Sequence, residues 1–222
     1  MEIFRNIVSE NSLVFDVGCN IGDKSESFLK LGAKVVGFEP QVECFEYCKR
    51  RFVSVTNFDI ENIALDDRQG LAEIHIATYH TISSMSKTFI NESKKERFSE
   101  FDWPTSRLVP TDTLETMIKK WGIPQFIKID VEGYELNVLK GLSQKIDCIS
   151  IEFNPELKDN TILCIEYIHS LNSGNTLFNY CYRNDDFLKF DWLEYEQIID
   201  YIKSVNDFKF EFGDIYCKSM VL

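Results

Sequence analysis

Leu13-Val-Phe-Asp16-Val-Gly18-Cys-Asn20-Ile-Gly22 is the stretch that decides the fold. Val14, Phe15 and Val17 make an apolar run of strand length that stops at a glycine-bearing turn. From Asp23 to Leu31 the pattern is that of a helix. A strand that ends in a small-residue turn against a helix N-terminus is how α/β proteins hold nucleotides. Twenty-one residues after Gly18, Val35-Val36-Gly37-Phe38-Glu39 is a second apolar strand ending in an acid, the place where a ribose hydroxyl is held. The loop then separates two cofactor classes. A dinucleotide loop reads G-x-G-x-x-G and lets the backbone approach a pyrophosphate. Here the order is Asp16-x-Gly18-x-Asn20-x-Gly22, with an acid in front and asparagine at the middle glycine. Asparagine tolerates the left-handed backbone such a turn needs. Asp16 would repel a pyrophosphate but suits a cationic ligand carrying an amino group and a ribose. S-adenosylmethionine is such a ligand, and an NAD-type oxidoreductase is the disfavoured rival.

Composition narrows the class further. The 222 residues suffice for one α/β domain with a single core, and 44% hydrophobic with 27% charged residues is ordinary for a globular protein. A formal charge of −12 without a basic stripe argues against a nucleic-acid partner bound through phosphates. The start, Met1-Glu-Ile-Phe-Arg5, does not read as a signal peptide, and no apolar run is long enough to span a membrane. Seven scattered cysteines point to the reducing cytoplasm. Cys44 and Cys48 share a helix face with no ligand-spaced partners, so buried thiols are expected there rather than half a metal site.

Strand and helix patterns alternate without repeat or linker, which predicts one domain over 1–222 built on a mostly parallel sheet. Strands are expected at 12–17, 34–39, 126–130 and 148–153, with an edge strand at 71–76. The run from 53 to 65 is harder to place. A closing antiparallel pair is expected at 177–182 and 215–218, with a helix at 193–202 between them. Thr111-Asp112-Thr113-Leu114-Glu115 reads as a helix start with Asp112 and Glu115 as a capping box. Residues 78–107 break the rhythm: they contain no glycine and mix polar residues with Tyr79, His80, Phe89, Phe98, Phe101 and Trp103. Such an insertion is expected to shape an acceptor site, with room for a short helix of its own.

Together these residues resemble a known family. Asp16-Val-Gly-Cys-Asn-Ile-Gly22, Phe38-Glu39-Pro40 and Lys128-Ile-Asp130-Val-Glu132-Gly133-Tyr-Glu135, followed by Leu139-Lys-Gly141, look like the FkbM family of S-adenosylmethionine-dependent methyltransferases. Thr113-Leu114 and the acid of Ile149-Ser-Ile-Glu152 also fit its pattern. The resemblance covers about residues 12–153. It implies the class I methyltransferase (Rossmann-like) fold: seven strands, the last antiparallel, with helices on both faces. It also implies O-methylation of hydroxyls on sugars, glycans or natural products. Residue by residue, it implies that Asp16, Gly18, Asn20 and Gly22 cradle the methionine part of the cofactor and Glu39 the ribose.

Several residues admit two readings. Asn62 either reaches the adenine edge or satisfies its own turn. Ser25 either donates to the cofactor carboxylate from the first helical turn or is a solvated helix serine. Asp130 stands at the carboxyl end of a central strand, where ligands sit in open α/β sheets; otherwise it is a cap for the helix near 134. Glu132, Glu135 and Glu152 lie close to it, able to hold a divalent cation or to pair with Lys128 and water. The expectation is a site without a metal. His80 is the candidate base in the insertion by elimination, against a solvated loop histidine. The chemistry asked for is modest: the acceptor oxygen, methyl carbon and sulfur must line up, and the hydroxyl must lose its proton to a positioned Asp or His. A non-catalytic domain that binds cofactor or glycan is the remaining alternative.

Overall fold

The computed structural model describes residues 2–182, 187–206 and 211–220. After a short helix α1 (Glu2–Arg5), the apolar runs anticipated above form β1 (Leu13–Val17) and β2 (Lys34–Phe38), joined by α2 (Asp23–Lys30). Helix α3 (Val42–Arg51) leads into β3 (Phe58–Glu61), which places the strand inside the ambiguous run at 53–65. Short β4 (Ala64–Leu65), then β5 (Gly70–Ile76), α4 (Lys87–Lys95) and β6 (Thr105–Asp112) follow. The chain continues through α5 (Leu114–Trp121), β7 (Phe126–Ile129), α6 (Glu135–Lys140), β8 (Cys148–Phe153) and α7 (Lys158–Leu171). It closes with β9 (Thr176–Tyr182), α8 (Tyr195–Ser204) and β10 (Gly213–Ser219).

Seven strands pair in the order β3-β2-β1-β7-β8-β10-β9. All pairings from β3 to β8 are parallel, and β10 runs antiparallel to both of its neighbours. This is the seven-stranded arrangement that the resemblance implies, with the last strand reversed. Side chains alternate across it as the pleat demands. Val14, Val35 and Phe126 face one side, packed with Phe4 and Phe28; Phe15, Val36 and Ile127 face the other, packed with Leu114, Val138 and Ile165. Both faces are therefore covered by helices, and the strands read as continuous apolar runs. The same alternation carries a polar pair on the first face, one step nearer the carboxyl ends. Asp16 is in register with Lys128, and both side chains are almost wholly buried.

The region from 64 to 112 departs from the sequence expectation. A second, three-stranded sheet in the order β4-β6-β5 stands there, and β6 occupies the end of what reads as irregular insertion. Thr105-Ser-Arg-Leu-Val-Pro-Thr-Asp112 is mostly exposed and polar, so no alternation announces the strand. The expected helix start shifts with it. Asp112 ends β6, and Thr113 caps α5 by accepting from the backbone N–H of Thr116. Glu115 binds Ser143 and Gln144 instead of reaching back as a capping-box partner. The insertion itself is ordered. Trp103 Nε1 donates to the Ile82 carbonyl at 2.8 Å, Ser84 Oγ to the Glu132 carbonyl at 2.6 Å, and Arg97 pairs with Asn154 and Glu156.

Candidate active site

The carboxyl ends of β1, β2 and β7 open into a cleft of about 380 Å³, at the size of a small-molecule site. It lies where the strand order reverses around β1, the position at which open α/β sheets take ligands. Its floor is the β1 turn. Gly18 has φ 77, Asn20 φ 51 and Gly22 φ 84, so three alternate residues take left-handed backbone and coil the chain tightly into α2. Asparagine holds the middle position by local bonding: its Oδ1 accepts from the Ile21 N–H at 2.9 Å.

Glu39 closes one side of this floor. Its side chain is buried, and its two oxygens accept from the backbone N–H groups of Asn20 (2.8 Å) and Gln41 (2.7 Å). Burial pushes its carboxyl up to about 7, against the pull of those two backbone bonds. Each oxygen keeps a further lone pair for a hydroxyl in the cleft that it lines. Asp16 is also buried in the cleft wall; Ser25 Oγ donates to its Oδ2 at 2.6 Å. Burial raises Asp16 as well, opposed by the Ser25 bond and the Lys128 charge.

Not every expected residue reaches the cavity. Asp16, Gly18, Asn20, Glu39, His80 and Asp130 line it together; Gly22, Ser25 and Asn62 do not. Ser25 is fully buried with its hydroxyl spent on Asp16, neither solvated nor open to a ligand. Asn62 Nδ2 donates to the carbonyls of Glu39 (2.8 Å) and Pro40 (3.2 Å) and so pins the loop after β2. Gly22 precedes α2 as its left-handed cap, packed against Phe52. These three lie behind the cleft-lining residues, a placement that local sequence patterns do not reveal. Cys44 and Cys48 are buried thiols, and Cys48 Sγ donates to the Asn20 carbonyl.

His80 enters from the insertion, in a short 3-10 turn (His80–Ile82). Its carbonyl accepts from Asn20 Nδ2 (3.3 Å) and Gln41 Nε2 (3.1 Å), tying the insertion to the loops after β1 and β2. Its Nδ1 is sealed from solvent with no hydrogen-bond partner. Asp130 caps nothing: α6 starts behind Tyr134 without a side-chain cap. Its Oδ2 accepts instead from Lys128 Nζ at 2.7 Å, and Lys128 also reaches Asp214 at 3.4 Å. Burial alone would discharge this amine, but the Asp130 and Asp214 charges hold it well above its ordinary range. Lys128 and Asp214 complete the charged group around Asp130; the sequence reading named Lys128 only as a partner for the acids and did not reach Asp214. A lysine inside the all-buried strand Phe126–Ile129 was the available signal, since a buried charge needs a partner.

The donor set fits S-adenosylmethionine. Acids Asp16, Glu39 and Asp130 suit a cationic, ribose-bearing ligand, while Phe38, Ile63, Leu65 and Ile74 give the cleft an apolar wall for a base. Fold and cleft together define a class I methyltransferase architecture. The methyltransferase FkbM domain model matches residues 16–208, and the chain belongs to that family. The chain is similar to a 2-O-methyltransferase NoeI of Sinorhizobium fredii, 26% identical over 155 residues. That match covers 64% of this chain and 63% of the relative, so it spans less than two thirds of the relative's length. Among solved structures, a precorrin-6y C5,15-methyltransferase from Geobacter metallireducens superposes with a TM-score of 0.51 at 7% identity, over 99% of this chain and 85% of that one. This likeness concerns the fold alone. Among the described residues, no helix is long and apolar enough to cross a membrane.

Proposed function

We propose that the chain transfers the methyl group of S-adenosylmethionine to a hydroxyl of a sugar, glycan or natural-product acceptor. The observation that carries the reading is the acid-lined cleft at the switch point, in which Glu39 and the Asp16–Asn20 turn are bound to each other. The cofactor supplies a sulfonium-activated methyl group. The protein's work is then binding, alignment and removal of a proton. Glu39 receives the ribose hydroxyls, and Asp16, Gly18 and Asn20 form the bed for the amino-acid part. Gly22, Ser25 and Asn62 support these residues from behind. Asp130, oriented by Lys128, accepts the hydrogen bond of the acceptor hydroxyl, with His80 as the second proton-accepting candidate. One domain contains all of this, and residues 78–107 shape the acceptor side through Tyr79, Ser84 and Met85. The net charge of −12 supports a partner other than nucleic acid.

Calorimetry against S-adenosylhomocysteine and NAD tests the cofactor, and transfer of labelled methyl to a panel of hydroxyl acceptors tests the reaction. Binding of the first ligand and not the second is expected; NAD binding alone would overturn the reading. Glu39→Ala should keep the fold and weaken S-adenosylhomocysteine binding by about 1–3 kcal/mol, the loss of charge-assisted bonds to the ribose. A pH dependence follows from the carboxyl's position at about 7. Ribose bonds are strongest to the ionised form, so affinity should rise as pH climbs through about 7 and level off above it. In Glu39→Ala that rise should vanish; an unchanged pH profile in the variant would assign it to another group.

A further inference from the structure

Beyond the cofactor bed, the ends of β7 and β8 bring acids together. A carboxyl oxygen from each of Asp130, Glu132 and Glu152 lies within 4.8 Å of the other two. Carboxylates this close repel one another, so a cation or a proton must compensate them. Two protein cations are already there. Lys128 holds Asp130, and the Arg97 guanidinium acts on both Glu132 and Glu152 while paired with Glu156. They would repel a divalent ion, which leaves protons as the compensating charge.

Glu132 provides the second observation. It lines the cleft, yet its Oε2 is sealed from solvent and has no hydrogen-bond partner. Its backbone is fixed in place, with φ 54 and a carbonyl that accepts from Ser84 Oγ at 2.6 Å. Glu135 is turned away from this task, since its Oε1 accepts from the backbone N–H groups of Val131 and Gly133. Glu152 has Asn154 Nδ2 as its partner at 2.8 Å and sits opposite Asp214 in the β8–β10 register.

We propose that Glu132 and Glu152 are a proton-sharing pair that receives the acceptor's proton at Glu132, the member that lines the cleft, while Asp130 orients the hydroxyl. The proposal rests on the methyl-transfer reading above. As the new oxygen–carbon bond forms, the oxygen–hydrogen bond breaks and the electron pair of the old carbon–sulfur bond stays on sulfur. The proton goes to the pair and from there to water. The pair carries one proton at rest and two after transfer. Its environment supports this: burial lifts both carboxyls well above their ordinary range. Neighbouring charge from Asp130 and Glu135, and from Glu152 on Glu132, pushes the same way against Arg97. The two protonation steps of such a pair belong to the pair rather than to either member.

Infrared difference spectroscopy of the wild type, Glu132→Gln and Glu152→Gln near pH 7, without acceptor, tests the resting proton directly. A protonated-carboxyl component beyond that of Glu39, which also titrates at about 7, is expected in the wild type and should be lost or shifted in both variants, with circular dichroism unchanged. Turnover should fall at least about tenfold in Glu132→Gln, and the acidic limb of the rate profile should move in Glu152→Gln. No such component in the wild type, or one that neither substitution alters, overturns the pair. So does activity that a chelator removes and Mg²⁺ restores, which would assign the cluster to a cation. A band that behaves as expected, in a protein that methylates no hydroxyl acceptor, overturns the transfer reading and with it the catalytic use of the pair. The two failures are thus distinguishable.

Discussion

Gly18→Val is expected to abolish S-adenosylhomocysteine binding. The residue has φ +77, and a Cβ placed there would lie 1.9 Å from the backbone carbonyl oxygen of Asp130. Neither obstacle can move cheaply. The Gly18 N–H is bonded to the Phe38 carbonyl at 2.9 Å, and the Asp130 N–H to the Val17 carbonyl at 3.0 Å. The turn is therefore tied to β2 and β7 at once, and making room means prising apart the strand ends that form the cleft. A β-branched side chain adds a second penalty by resisting the left-handed backbone. Gly18→Ala should already weaken binding severely, because its Cβ meets the same carbonyl. Circular dichroism and calorimetry on both variants check this. A folded Gly18→Val that keeps its affinity would mean that the cofactor lies elsewhere.

The parts of this site that were legible in the sequence are those written in local pattern. Val14, Phe15 and Val17 stop at Gly18 because a buried strand must end in a turn, and acids at strand ends stand out against apolar runs. Asp16, Glu39 and Asp130 were visible for that reason. What stayed hidden depends on pairing between distant segments. Nothing near Ser25 says that its hydroxyl is spent on Asp16, and nothing near Asn62 says that it holds the loop after Glu39. Thr105–Asp112 is a strand because β5 and β4 lie on either side of it, in a sheet too exposed to impose alternation. Lys128 is the instructive intermediate. Its burial inside a strand announces partners, but only the fold brings Asp214 from the end of the chain to supply one.

Asp130→Asn tests the chemical step. The substitution keeps the size of the side chain and one acceptor oxygen, and Lys128 will claim that oxygen, as it now claims Oδ2 at 2.7 Å. The amide nitrogen then turns toward the cleft, and an acceptor hydroxyl meets a donor where it needs an acceptor. The hydroxyl loses both its orientation and the negative charge that draws its proton away. S-adenosylhomocysteine should bind nearly as before, because the bed proposed for it is the β1 turn and Glu39. Turnover at saturating cofactor should fall by about a hundredfold or more, roughly 2.7 kcal/mol in the barrier. Stability should suffer little, since Lys128 keeps Asp214 at 3.4 Å and the Asp16 charge nearby. Chelator should leave the wild-type rate unchanged, in keeping with a cluster compensated by protons and protein cations. A variant with near-normal turnover would remove Asp130 from the reaction and make His80, whose Nδ1 is sealed and unpartnered in the cleft wall, the orienting group to test next.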